Sequence, residues 1–246
     1  MSSKLALNMI RYYSINFDFP KRSKKEFIFI ILHYTGMKKE SKAIQKLCDS
    51  KSKVSAHYFV KKNGEILNLV PDLYKAWHAG KSSWKKLKSL NRYSIGIEIS
   101  NPGHDYGYRK FSSKQISAII KLLKFLSKKY NIKKQNILGH SDIAPNRKKD
   151  PGEKFPWYKL AKKSLCKWHN LSKKEINGKR SLKTTSFEEK IFINNLYKIG
   201  YSRIVKNKYK NQKINLIKAF QRKFRQSLIN GKIDQECLLI SKNLSN

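Results

Sequence analysis

At 246 residues, with 39% hydrophobic and 12% aromatic residues, the chain carries too much apolar material to be disordered and enough to bury one medium domain and a smaller one. Its 55 Lys and Arg against 16 Asp and Glu give a formal net charge of +39, a field that attracts polyanions such as nucleic acid, anionic lipid or an acidic wall polymer. The three cysteines, Cys48, Cys166 and Cys237, are too widely spaced for a disulfide framework or a CxxC zinc site, and no apolar run nears the roughly 18 residues of a membrane span.

From the N-terminus, LALNMI (5–10) stops at Arg11, and the basic KRSKK precedes FIFIIL (27–32), whose six apolar residues are too few for a cleavable signal. Residues 1–26 read as an extension. FIFIILHY (27–34) is β-rich and apolar on both faces, the pattern of a central strand. The polar stretch after it carries Ile44 and Leu47 at helical spacing, and AHYFVKKNGEILNLV (56–70) reads as two strands joined at Asn63-Gly64, a strong hairpin signal. YSIGIEIS (93–100) alternates as a strand. Between Phe111 and Tyr130, Ile116, Ile119, Ile120, Leu123 and Leu126 mark one helical face, and Ser112 with Gln115 makes a capping box. NIL (136–138) is a last short strand. Interleaved strands and helices predict an α/β (α+β) fold, a central mixed β-sheet flanked by helices.

After Trp168 the texture changes, and LSKKEINGKRSLKTTS (171–186), basic and nearly free of apolar residues, reads as a linker. Beyond it, Ser186 with Glu189 is the expected cap of a helix ending near Gly200; Ile214, Ile217, Phe220 and Phe224 space a second, and Asp234 caps a third. The predicted division is a main domain over 27–170, the linker, and a small three-helix domain over 187–246.

The chemistry concentrates in GHSDIAPNRKKDPG (139–152). His140 sits just past a strand end, Asp150 follows a loop stiffened by Pro145 and Pro151, and His33 ends the other predicted strand, so that two strand ends and one rigid loop can meet at a metal. A His and an Asp ten apart in a loop are more often solvated than ligating. Lys148 beside the acid and Glu98 in the apolar IGIEIS strand strengthen the metal reading, because a buried carboxylate is costly unless paired or catalytic.

LHYTG (32–36), SAHYFV (55–60), AWHAG (76–80), SIGIEI (94–99) and GHSDIAPNRKKDPG together resemble the zinc-dependent N-acetylmuramoyl-L-alanine amidases of the amidase-2 family, which share their fold with peptidoglycan recognition proteins. The resemblance spans roughly residues 27 to 160 and is strongest to the AmiD and AmpD branch. It implies Zn2+ held by His33, His140 and Asp150, with Glu98 and Lys148 catalytic; a tyrosine used by phage relatives is not carried over, since Ala56 stands at that position. AFQRKFRQSLINGKIDQEC (219–237) resembles the three-helix peptidoglycan-binding domain of AmiD-type enzymes, which tilts the branch that way.

The implied activity is hydrolysis of the amide between the lactyl group of N-acetylmuramic acid, its 1,6-anhydro form included, and L-alanine, in cell-wall turnover and recycling. Peptidoglycan or muropeptides are the implied partners, nucleic acid is not, and a monomer is the default. His57, Trp77 and His78 are candidate substrate contacts, with hydrogen bonding or packing as the alternative; Trp84 reads as structural, and His104 and His169 as surface residues. A wall-binding module points to the cell envelope, periplasmic or secreted without a classical signal; the cytoplasm is the alternative. The +39 charge fits a compositional bias as well as a function, since the lysines run the whole length of the chain alongside many Ile and Asn.

Overall fold

In the computed structural model, which describes residues 9–205 and 209–246, the apolar runs of the first half form the middle of one mixed sheet. The chain opens with β1 (Met9–Arg11) and β2 (Phe17–Asp18) and enters the sheet centre as β3 (Phe29–Tyr34). Helix α1 (Glu40–Cys48) leads to the hairpin of β4 (Tyr58–Val60) and β5 (Ile66–Asn68), which turns around Asn63 and Gly64 as predicted; Gly64 takes the positive φ of 88° that the turn needs. Three two-residue strands follow, β6 (Lys75–Ala76), β7 (Ser83–Trp84) and β8 (Leu87–Lys88), and then β9 (Ser94–Ile99). Helix α2 (Ser113–Tyr130), β10 (Ile137–Gly139) and the short helices α3 (His140–Ile143) and α4 (Trp157–Ala161) come next. The remainder is helical: α5 (Lys173–Ile176), α6 (Ser186–Ile199), α7 (Tyr209–Phe224) and α8 (Gln235–Ser245).

Strand order is β1-β5-β4-β9-β3-β10, and every neighbouring pair is parallel except the β4–β5 hairpin. Side chains alternate across a strand, so β3 sends Ile30 and Leu32 to one face and Phe29, Ile31 and His33 to the other. On the first face Ile30 and Leu32 join Ile95, Ile97 and Ile99 of β9 and the predicted apolar face of α2 in one buried cluster. Each such side chain contributes about 1.5–3 kcal/mol by leaving water. The predicted capping box starts α2: Ser112 Oγ accepts from the Gln115 N–H at 3.1 Å, and Gln115 Oε1 accepts from the Ser112 N–H at 3.0 Å.

The opposite face is covered from the C-terminal end of the chain. Phe29, Ile31 and Leu138 share a buried cluster with Phe192 and Leu196 of α6, Phe220 and Phe224 of α7, and Leu238 and Ile240 of α8. Helix α6 begins one residue before the expected position. Thr185 is its cap, accepting from the Glu188 N–H at 3.2 Å while the Glu188 carboxylate returns to the Thr185 N–H at 2.8 Å; Glu189 instead pairs with Lys213 at 2.7 Å. Asp234 caps α8 as predicted, its Oδ1 accepting from the Cys237 N–H at 2.9 Å. Within 171–186 the chain forms α5 and a bidentate ion pair from Arg180 to Glu236, at 2.6 and 3.0 Å. Near the other end, Arg22 is buried and donates to the carbonyls of Asn91, Arg92, Ser94, Asp72 and Tyr74 at 2.6–3.0 Å, which ties the loops beneath the site together.

Candidate metal centre and catalytic cleft

Parallel pairing of β3 with β9 sets His33 directly opposite Glu98, so one sheet face presents an imidazole and a carboxyl side by side. His140 arrives where β10 ends: Gly139 has the extended backbone of a helix cap, and His140 is the first residue of α3. The loop then returns Asp150, whose carbonyl accepts from the Ser141 N–H at 2.9 Å and so closes the segment on itself. Three ligand atoms converge. His33 Nδ1 lies 2.9 Å from His140 Nδ1, and Asp150 Oδ2 lies 3.0 Å from each.

The surrounding hydrogen bonds decide which atoms of this triangle carry protons. Ser94 Oγ donates to the Leu90 carbonyl at 2.6 Å and therefore accepts from His78 Nε2 at 3.2 Å. That leaves His78 Nδ1 as the acceptor for His33 Nε2–H at 3.0 Å, and it leaves His33 Nδ1 a bare lone pair. His140 Nε2–H donates to the Ala79 carbonyl at 3.1 Å, a carbonyl also held by Arg147 at 2.7 Å, so His140 Nδ1 is bare as well. Burial and the neighbouring His140 lower His33 to about 4, which keeps it neutral.

Two imidazole lone pairs and a carboxylate thus face one point, all three residues buried, with no proton between them. Such a set repels itself unless a cation occupies the centre. The spacing sits close to the roughly 3.3 Å that separates ligand atoms around a tetrahedral ion with bonds of about 2.0–2.1 Å, and the His-His-Asp donor set suits zinc.

Glu98 lies beside the triangle, and its buried Oε2 has no hydrogen-bond partner among the described residues. Burial, and then the negative Asp150, push its carboxyl well above the ordinary value, while Lys148 works in the opposite direction. Both Glu98 and Lys148 line one cavity of about 500 Å³ together with His140, Asp150, Trp77 and His78. Gly96 is required where it stands: a Cβ there would lie 2.4 Å from the His78 ring, so any side chain would evict the imidazole that orients His33.

The predicted ligands and both predicted catalytic residues are thus brought to one cleft. Trp77 lines it with its Nε1–H fixed on Asp18 at 2.8 Å, and His78 forms its inner wall. His57 follows the hydrogen-bonding alternative. It is 0% exposed, its Nδ1 accepts from the Gly96 N–H at 2.9 Å, its Nε2 faces the Tyr74 carbonyl at 3.0 Å, and it supports the sheet beneath the site without reaching the cavity. His104 and His169, expected on the surface, are half-buried; His104 accepts from Tyr34 Oη at 2.8 Å and reaches Glu153 at 3.1 Å. Trp84 is structural as expected, packed edge-on against Tyr201. Sequence reasoning missed Ser94, and also Tyr34 and Arg147, whose partners His104 and Ala79 lie about 70 positions away and leave no local pattern.

The family model Amidase_2, described as N-acetylmuramoyl-L-alanine amidase, matches residues 23–153. The chain belongs to the Amidase_2 family. Among relatives of this Amidase_2 member, N-acetylmuramoyl-L-alanine amidase AmiD of Escherichia coli (strain K12) is 34% identical over 227 residues, which is 87% of this chain and 81% of AmiD. The 1,6-anhydro-N-acetylmuramyl-L-alanine amidase AmpD of Citrobacter freundii is 40% identical over 106 residues, 43% of this chain and 54% of AmpD. The fold matches that of AmiD from E. coli in complex with the substrate anhydro-N-acetylmuramic acid-L-Ala-D-gamma-Glu-L-Lys, with a TM-score of 0.81, 31% identity, and 92% and 91% of the two chains covered. Among the described residues no helix is long and apolar enough to cross a membrane.

Proposed function

We propose that this amidase is a zinc-dependent hydrolase of peptidoglycan fragments that cleaves the amide between the lactyl group of N-acetylmuramic acid, including the 1,6-anhydro form, and L-alanine. The observation that carries the reading is the convergence of the buried His33, His140 and Asp150 ligand atoms beside the buried Glu98 carboxyl, at an open cavity lined by Glu98, His140 and Asp150. The substrate named in the AmiD complex supports the choice of bond and sugar.

His33, His140 and Asp150 would hold the zinc, which when bound would supply a water of lowered pKa and polarise the carbonyl under attack. Glu98 takes the proton of the attacking water at its unpartnered Oε2 and delivers it to the leaving amine of L-alanine. Lys148 offers a cation to the oxygen that gains charge as the carbonyl becomes tetrahedral. His78 holds the His33 ring, and Arg147 with Ala79 holds the His140 ring, so that neither imidazole can rotate out of the site. Trp77 presents an apolar face at the cleft for sugar or peptide. We assign α6, α7 and α8 a role in holding wall material, on the likeness of residues 219–237 to peptidoglycan-binding domains and on the extent of the AmiD match.

The test is mass spectrometry of anhydro-ended muropeptides incubated with the protein, with and without a chelator. Free peptide and intact sugar are expected, and the chelator abolishes their release. Binding to wall fragments without release would assign the chain to recognition instead of hydrolysis.

A further inference from the structure

Two of the three ligands and Lys148 ride on residues 137–155, a segment whose regular structure is β10, the four-residue α3 and otherwise loop. A piece so short has few internal bonds with which to hold metal ligands in place. What holds it comes from elsewhere. Asp142, buried in the turn that starts at His140, accepts the Gly139 N–H at 2.8 Å on Oδ2 and so clamps the backbone on either side of that ligand. A buried carboxylate persists as a charge only when it is fully paired. Its partners are distant in sequence: Tyr201 Oη donates to Oδ1 at 2.8 Å, and Lys223 Nζ donates to Oδ2 at 2.9 Å.

Lys223 is 4% exposed, donates also to the Ile137 carbonyl at 3.2 Å, and sits 4.5 Å from the centre of the Trp157 ring. The same helix touches the segment again at each end. Asn215 donates to Asn146 at 3.3 Å, and Gln226, just past the end of α7, donates to the carbonyls of Glu153 and Phe155 at 2.6 Å. Because the Ser141 N–H is bonded to the Asp150 carbonyl, a shift at Asp142 moves both ligands.

We infer that Lys223 and Tyr201, acting through Asp142, are positioning residues for the metal site, and that α7 splints the segment carrying two of its three ligands. Lys223 and Tyr201 then support the metal site in addition to any wall contact made by the C-terminal helices. The inference rests on the metal reading of His33, His140 and Asp150.

The experiment measures zinc affinity of the full-length protein by competition with a chelating indicator, at a temperature where circular dichroism shows each variant folded. Lys223→Met and Tyr201→Phe are compared with Lys213→Ala, which breaks the α6–α7 pair with Glu189 away from the segment. Lys223→Met is expected to weaken zinc binding by about 10–100-fold, the range for loss of an outer-shell support. Tyr201→Phe weakens it less, and Lys213→Ala leaves it unchanged, though all three lower the melting temperature. Wild-type affinity in both Lys223→Met and Tyr201→Phe, with only the melting temperature reduced, overturns the positioning role; if Lys223→Met does not fold, Tyr201→Phe alone decides. A wild-type protein that binds no zinc refutes the underlying metal assignment instead.

Discussion

Glu98 has an aspartate for a near neighbour, an imidazole opposite it in the sheet and one oxygen without a hydrogen-bond partner among the described residues. Its carboxyl is costly for stability and useful for moving a proton. Glu98→Gln is therefore expected to leave zinc content unchanged while turnover falls by about two to four orders of magnitude, the usual yield of a positioned general base. Zinc analysis and steady-state rates on the same preparation check this, and retained turnover would remove Glu98 from the chemistry. The residue was visible in the sequence because an acid inside an apolar alternation is anomalous. His78 and His57 were not separable there. Both occur in aromatic, small-residue stretches, and which one meets His33 depends on the ring-sized space over Gly96.

At the scale of elements, local patterns succeeded where one candidate existed and slipped where two competed. Ser112 is followed by a single suitable partner, Gln115, and the box forms as expected. Thr185 and Ser186 are followed by Glu188 and Glu189, so the box pattern fits in two registers, and Lys213 on α7 decides by taking Glu189. Thr185→Ala is expected to cost about 0.5–2 kcal/mol in urea unfolding, the usual range for a lost cap, and Ser186→Ala close to nothing. The reverse order would return the cap to Ser186. The segment 171–186 shows the same dependence on distant partners. Its composition is that of a tether, yet Arg180 finds Glu236 56 positions later and buries much of that carboxylate.

For the molecule as a whole, the decisive fact is that α6, α7 and α8 share a buried cluster with Phe29 and Ile31 of the central strand. Unfolding is expected as a single calorimetric transition, and two resolved transitions would show that the helices fold on their own. Removing metal should lower that transition. A ligand present at about 1,000 times its dissociation constant stabilises the folded state by about 4 kcal/mol, which for a chain of this size is about 8–16 °C of melting temperature. An unchanged melting temperature after chelation would contradict a metal bound to His33, His140 and Asp150.

By itself the sequence determined the α/β class, the strands β3, β4, β5, β9 and β10, the faces of α2 and α7, and the candidate ligands, because alternation, helical spacing and residue chemistry are properties of neighbours along the chain. The tertiary structure decided that His78 orients His33 while His57 bonds the backbone of Gly96, that His104 is engaged with Tyr34, and that the C-terminal helices close the second face and grip Asp142. Those outcomes rest on pairs such as His33 with His140, 107 positions apart, and Lys223 with Asp142, 81 apart. Periodicity tells which side of a strand is buried; only packing in three dimensions tells what buries it.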